Sequence, residues 1–216
     1  MLRVLDLFSG AGGFSMALQR ILNTRTVGYC DISPDSRELL ADLQRRGLLQ
    51  EAHIFADMKK LKASELPQAD MVTSGFPCQD LSTVGPRTGL FEGKRSSLFK
   101  QILRLVKSLR PSYVFLENSP AIANDPRYRD FCELWLRLGY DLAWSFFTAQ
   151  EVGAAITRRR WYMLARRRRE PKPLNLRPQS KTCKHLSHDI KHEPRHHAIA
   201  KWASGLMGNA VVPCVV

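Results

Sequence analysis

Cys78 stands in the stretch VTSGFPCQDLSTVG, residues 72–85, directly after Pro77 and just past the apolar run Met71-Val72-Thr73. A packing thiol belongs inside such a run. A thiol just beyond it sits where an α/β sheet presents its chemistry, outside the carboxyl ends of the strands. Two further runs carry reactive groups at their ends. Ser112 to Leu116 is followed by Glu117, and Arg158 and Arg160 precede Trp161 to Ala165. The two arginines alternate, so a strand start points both to one side. A thiol, a carboxyl group and paired guanidinium groups brought to one sheet edge suit nucleophilic catalysis on a polar ring.

A glycine turn supplies the companion feature. The run RVLDLF, residues 3–8, leads into Ser9-Gly10-Ala11-Gly12-Gly13 and then into a helix-like stretch, Phe14 to Leu22. Glycines allow tight turning and close approach of the backbone to a ligand. Asp31 ends the second apolar run, where an acid binds a ribose hydroxyl pair, and Asp57 ends the third. A dinucleotide fingerprint wants glycine where Ser15 stands. The same layout serves S-adenosylmethionine, which has an adenosine but no phosphate. Beside such a site, the thiol and carboxyl suggest methyl transfer to an unreactive carbon. Cytosine C5 is too poor a nucleophile to attack a sulfonium methyl. A thiolate added at C6 makes C5 enamine-like, a carboxyl group holds N3, and arginines fix the base and keep the thiolate ionised.

The elements that must position these groups follow from periodicity. Strands are expected at Arg3–Phe8, Thr26–Cys30, His53–Ala56, Asp70–Ser74, Ser112–Leu116, Leu142–Thr148 and Trp161–Ala165. Helices are expected at Phe14–Leu22, Pro34–Arg46 (entered through Ser33-Pro34), Ser97–Leu109 and Tyr128–Leu138. Alternation of the two predicts an α/β fold with a mixed, doubly wound sheet. After Arg169 the pattern fails. The expected organisation is a catalytic, cofactor-binding domain over 1–169, a small basic target-recognition segment over 170–200 and a segment over 201–216 returning to the catalytic domain.

Charge and cysteine usage bound the partners. The 216 residues carry a net charge of +13, unevenly spread: residues 151–216 hold 14 Lys/Arg against 4 Asp/Glu. That end attracts polyanions, nucleic acid first, and the run Arg166 to Arg169 reads as phosphate-binding. Five cysteines with irregular spacing show no disulfide framework, which fits a reducing, intracellular compartment. An acid at the sixth residue argues against a signal peptide, and no apolar run approaches the length of a membrane span. Cys183, His185, His188 and His192 cluster without the spacing of a standard zinc finger. They read first as polar or phosphate-contacting residues, so no metal ligand is assigned, and a zinc site in a small basic lobe stands as the alternative.

Taken together, DLFSGAGGFS at 6–15, GFPCQDLS at 75–82, ENSP at 117–120, RRR at 158–160 and GNAVVP at 208–213 closely resemble the DNA (cytosine-5)-methyltransferase family, in the family's order. The resemblance implies a Rossmann-like S-adenosylmethionine-dependent methyltransferase fold with a small basic C-terminal lobe. It implies Cys78 as nucleophile, Glu117 as the base-holding carboxyl, and Arg158 with Arg160 as the family's arginine pair. Phe8, Ser9, Gly10, Gly12, Gly13, Asp31, Ile32, Asp57, Met58, Pro77, Leu98 and Asn209 fall where the family lines its cofactor pocket. Double-stranded DNA is the implied partner, flipped at the target cytosine. Two other readings remain beside it: a tRNA cytosine-5 methyltransferase, and a non-catalytic nucleic-acid-binding subunit of the same fold. Ala155-Ile156 replace the family's usual Pro-Gln, and Ser119 stands for Val. Little more than residues 170–200 is available to read a target. A short recognition sequence, or help from a second subunit, is therefore expected.

Overall fold

The computed structural model describes residues 1–77, 97–152 and 155–169. Cys78, Asn209, the Cys183–His cluster and the segments 170–200 and 201–216 lie outside them. Seven strands form one sheet in the order β3-β2-β1-β4-β5-β7-β6. They are β1 (Leu2–Leu7), β2 (Thr24–Cys30), β3 (His53–Phe55), β4 (Met71–Ser74), β5 (Tyr113–Asn118), β6 (Tyr140–Thr148) and β7 (Arg159–Arg167). The first five run parallel. β7 is inserted antiparallel between β5 and β6. The helices are α1 (Gly13–Ile21), α2 (Pro34–Arg45), α3 (Ser97–Leu109) and α4 (Tyr128–Arg137). The expected mixed, doubly wound sheet is present, and the winding reverses between β1 and β4.

Strand alternation divides the core in two. Val114 and Leu116 of β5, with Trp161, Met163 and Ala165 of β7, meet Phe99 and Ile102 of α3 and Phe131 and Trp135 of α4. Tyr113 and Phe115, with Tyr162 and Leu164, face the α1 side with Ala17, Leu18 and Ile21. Phe99 and Phe131 stack at 4.8 Å, and the Tyr140 hydroxyl donates to the Pro111 carbonyl at 2.7 Å. α2 starts as its sequence predicts: the Ser33 hydroxyl accepts from Ser36 N at 3.3 Å, with Pro34 in the first turn. β7 is longer than its apolar stretch, because its ladder with β6 carries the pairing out to Arg159 and Arg167. Short 3-10 turns at Met58–Lys60, Ala63–Glu65 and Pro120–Asn124 have too few residues to show a period. Among the described residues, no helix is long and apolar enough to cross a membrane.

One buried carboxyl holds the reversal point together. Asp6 is fully buried in β1. Its Oδ1 accepts from the Thr73 hydroxyl of β4 at 2.6 Å, and its Oδ2 accepts from the Ser15 hydroxyl of α1 at 2.8 Å. The Ser9 hydroxyl donates to the Asp6 carbonyl at 2.7 Å. Ser15 thus stands where a dinucleotide loop has glycine because its side chain ties α1 to the sheet. Burial pushes the Asp6 carboxyl from 3.8 to about 6, against the pull of the Thr73 and Ser15 hydroxyls.

The sign of the resulting pH dependence is fixed. Between about 4 and about 6 the folded chain binds the Asp6 proton more tightly than the unfolded chain, so this group adds stability as pH falls. Asp6→Asn keeps the hydrogen-bonding capacity without the proton. The difference in Tm, wild type minus Asp6→Asn, will therefore rise as pH drops through about 6 and level off below about 4. A difference that stays flat across that range in a thermal melt overturns this assignment.

Candidate active site

The parallel strands deliver their carboxyl ends to one edge, and the glycine turn lies at its centre. Phe8, Gly10 and Gly12 have φ of +55°, +52° and +76°. For Phe8 this is a strained conformation of the kind concentrated at ligand sites. A Cβ on Gly12 would also lie 2.6 Å from Leu49 Cδ1. Ser9 fastens the turn to β2: its N donates to the Cys30 carbonyl at 3.1 Å, and its hydroxyl accepts from Cys30 N at 3.1 Å. Gly13 begins α1 behind Gly12, which caps the helix without a side-chain hydrogen bond.

Asp31 closes the turn from the end of β2. Its Oδ2 accepts from Gly10 N at 2.8 Å and its Oδ1 from Ser33 N at 2.9 Å. Each oxygen keeps a further lone pair for a ligand hydroxyl. This carboxylate puts negative charge against the loop where a dinucleotide would place its diphosphate. A sulfonium ligand meets no such repulsion. Next to it Ile32 is 67% exposed, an apolar surface suited to a flat base. Asp57 follows β3, its Oδ1 accepting from Lys59 N at 2.9 Å. Met58 is buried, packed in the core beside the end of β3. Leu98 is half-buried at the start of α3, and Pro77 is exposed at the end of the segment that leads to Cys78.

The antiparallel insertion of β7 sets Glu117 opposite Tyr162 and brings Arg160 to the same edge. Arg160 Nε lies 2.9 Å from Glu117 Oε1, with side-chain exposures of 25% and 18%. Burial pushes the Glu117 carboxyl above its ordinary value, while the charges of Arg160 and Arg158 restrain the rise. Arg158 is exposed just ahead of β7. Arg159 points to the opposite face, its guanidinium carbon 4.5 Å from the centre of the Phe146 ring. The expected pair Arg158 and Arg160 thus shares the Glu117 side.

Three neighbours of the site were not anticipated from sequence. Gly75 lies against Glu117: a Cβ there would come within 3.3 Å of Glu117 Oε2, a tight approach, and 3.6 Å of Phe14 Cε2, an ordinary contact. Thr73 belongs to the Asp6 tie. Asn118 is buried, donates through Nδ2 to the Phe76 carbonyl at 3.0 Å and accepts from Ser119 N at 2.8 Å. It clamps the passage out of β4 two residues before Cys78. The adjacency of Glu117 and Asn118 in ENSP was the available signal, since alternation must send one of them inward. The run Arg166 to Arg169, which reads from sequence as phosphate-binding, is set apart from this edge. It lies at the far end of β7, and Arg168 and Arg166 reach Asp141 at 2.8 and 3.9 Å.

Asn118→Ala leaves the Phe76 carbonyl without its donor. The expected loss of stability is about 1–3 kcal/mol, read from the midpoint of a chemical denaturation curve. A loss below about 0.5 kcal/mol, the level of an ordinary surface change, overturns the clamp.

The comparisons with known proteins agree with this geometry. The family model for C-5 cytosine-specific DNA methylase matches residues 2–215. Among curated proteins, the type II methyltransferase M.CviJI of Paramecium bursaria Chlorella virus IL3A is 34% identical over 167 residues, covering 77% of this chain and 43% of that protein. The type II methyltransferase M.Sau3AI of Staphylococcus aureus is 31% identical over 179 residues, covering 75% of this chain and 42% of that protein. The chain thus spans less than half the length of these relatives. Among solved structures, the S. pombe Dnmt2 methyltransferase matches with a TM-score of 0.64 at 25% identity, over 80% of this chain and 53% of that one. A Spodoptera frugiperda DNMT2 variant matches with a TM-score of 0.65 at 19% identity, over 83% and 54%, a likeness of fold. The reversal point with its glycine turn, the Glu117–Arg160 pair and the match over residues 2–215 place this chain in the C-5 cytosine-specific DNA methylase family.

Proposed function

We propose that this chain is a DNA (cytosine-5)-methyltransferase, with Cys78 as nucleophile and double-stranded DNA as substrate. The observation that carries the reading is the Glu117–Arg160 pair, a half-buried carboxyl held 2.9 Å from a guanidinium at the sheet edge that leads through Pro77 to Cys78. The pocket beside it suits S-adenosylmethionine: Asp31 for the ribose hydroxyls, Ile32 for the adenine face, Asp57 and Met58 for its edge, and the turn from Phe8 to Gly13 for the amino-acid end. Pro77, Leu98 and Asn209 would complete it. When bound, that cofactor supplies an electrophilic methyl group on a sulfonium.

The chain's own residues do the rest. The target cytosine must leave the stack before C5 and C6 can be reached. The Cys78 thiolate adds to C6, and the ring electrons move toward N3, where the Glu117 carboxyl, raised by burial, holds or supplies the proton. C5 then takes the methyl group as the methyl–sulfur bond breaks. A water molecule takes the C5 proton as the C6–sulfur bond breaks, which restores the aromatic ring and returns the Cys78 thiolate. Arg160 keeps Glu117 in place, and Arg158 is free to hold the base. Residues 170–200 form the small target-recognition segment in this reading, aided by a second subunit where the site is longer than a few base pairs. Residues 201–216 return to the catalytic domain. The setting is intracellular and reducing.

Four experiments test this. Cys78→Ser abolishes methyl transfer to duplex DNA and leaves binding of S-adenosylhomocysteine and DNA intact. DNA carrying 5-fluorocytosine traps the wild-type chain covalently in the presence of cofactor. Near-native turnover by Cys78→Ser sinks the covalent step, and methylation of tRNA in place of duplex DNA replaces the substrate. Glu117→Gln lowers turnover by roughly 10²–10⁴. In a thermal melt, S-adenosylhomocysteine raises Tm by binding linkage and NAD does not. Equal stabilisation by NAD returns the glycine turn to a dinucleotide.

A further inference from the structure

The sheet edge opposite the glycine turn collects a second set of charges. α3 and α4 end there at Leu109 and Arg137, and β7 leaves the sheet there at Arg167. Backbone bonds join these three exits: Arg167 N to the Ser112 carbonyl and Arg168 N to the Gly139 carbonyl, both at 2.9 Å. The Arg167 guanidinium donates to the Arg110 carbonyl at 2.9 Å. Lys107, Arg110, Arg137 and Arg169 are exposed around this junction. Asp141 answers Arg168 and Arg166, and Glu133 reaches Arg137 at 3.5 Å. Among the described residues, no carboxylate forms an ion pair with Lys107, Arg110, Arg167 or Arg169. Arg3, near the same edge, differs: Asp70 takes it through two guanidinium bonds, at 3.0 and 2.9 Å.

Cations are favoured at helix C-termini by the helix dipole, which accounts for Lys107 and Arg137. It does not account for Arg110. That residue has φ of +47°, in the left-handed region that strains every side chain with a Cβ. α4 meets the same need in the ordinary way, with Gly139 at φ +87°. Glycine at position 110 would relieve the strain. Arginine accepts it and adds a guanidinium group beside three other cations that no carboxylate among the described residues pairs. Backbone strain retained at one position of an uncompensated charged surface points to a use for the side chain.

We propose that this edge is a second nucleic-acid surface, which grips backbone phosphates away from the reaction site. β7 separates the two: eight steps at roughly 3.3 Å set Arg167 about 26 Å from Arg159. Ammonium and guanidinium groups take phosphate without reading sequence. The surface holds a flanking stretch of duplex, or a second one, while the opposite edge works on the base. The proposal rests on the reading that this chain acts on nucleic acid, but its test does not depend on turnover.

The test is binding of the full chain to an A·T-only duplex of about 30 base pairs, which offers no target cytosine, by fluorescence anisotropy at several salt concentrations. Arg110→Gly will raise Tm, because strain is relieved, and weaken binding about two- to fivefold, with the salt slope reduced by about 0.9 for one lost phosphate contact. The double variant Lys107→Ala, Arg169→Ala will weaken binding further and reduce the slope by about twice that, with Tm unchanged. Wild-type affinity and slope in both variants overturn the proposal and leave the edge to an acidic protein or to solvent. A fall in Tm for Arg110→Gly also overturns it, because the strain would then be absent. Neither result bears on methyl transfer at Cys78, so the two readings fail separately.

Discussion

The Asp6 carboxyl is where the two halves of the sheet and the first helix meet. It sits in β1, the strand from which the winding departs in both directions, and accepts one hydroxyl from β4 and one from α1. Removing a carboxylate from water is costly unless its lone pairs are met. Here two hydroxyls meet them, and part of the remaining cost is relieved by a proton held up to about 6. The return is geometric. β1, β4 and α1 cannot slide relative to one another without breaking the tie, so the glycine turn keeps a fixed place over the strand ends.

The chemistry of the site edge follows from that fixed frame. Parallel strands send Asp31, Asp57, Pro77 and Glu117 to one side, and Arg37 of α2 reaches only the Asp31 and Ile32 carbonyls, so Glu117 needs a cation from elsewhere. The antiparallel β7 corrects this by entering from the same edge with Arg158, Arg159 and Arg160. Alternation then sends Arg160 to Glu117 and Arg159 to the Phe146 ring. The same insertion carries β7's basic tail to the opposite edge, where α3 and α4 end. One strand therefore distributes positive charge to both ends of the sheet.

Much of this was legible in the chain itself. The order of apolar runs, the cap at Ser33-Pro34, the glycine turn and the placement of Cys78, Glu117, Arg158 and Arg160 at run ends define a doubly wound domain with one chemical edge. They are legible because side-chain period and turn chemistry are local, acting over a few residues. The long reach of β7 and the short 3-10 turns were less visible, since pairing partners decide the first and too few residues carry the second.

Other features depend on contacts between different elements of the fold. Ser15 reads as a broken dinucleotide fingerprint until Asp6 is seen beside it, and nothing local to Gly75 shows that Glu117 Oε2 packs 3.3 Å from where its Cβ would stand. Asn118 reads as a bystander to Glu117 until its amide meets the Phe76 carbonyl. Arg166 to Arg169 read as one polyanion-binding run, and only the strand direction shows which edge of the sheet carries them. Sequence by itself determined which elements form and which side chains end them, because those are near-neighbour effects. Tertiary structure alone decided which of those side chains touch, because contact between groups on different elements is set by strand order and direction, and neither is written in any local pattern.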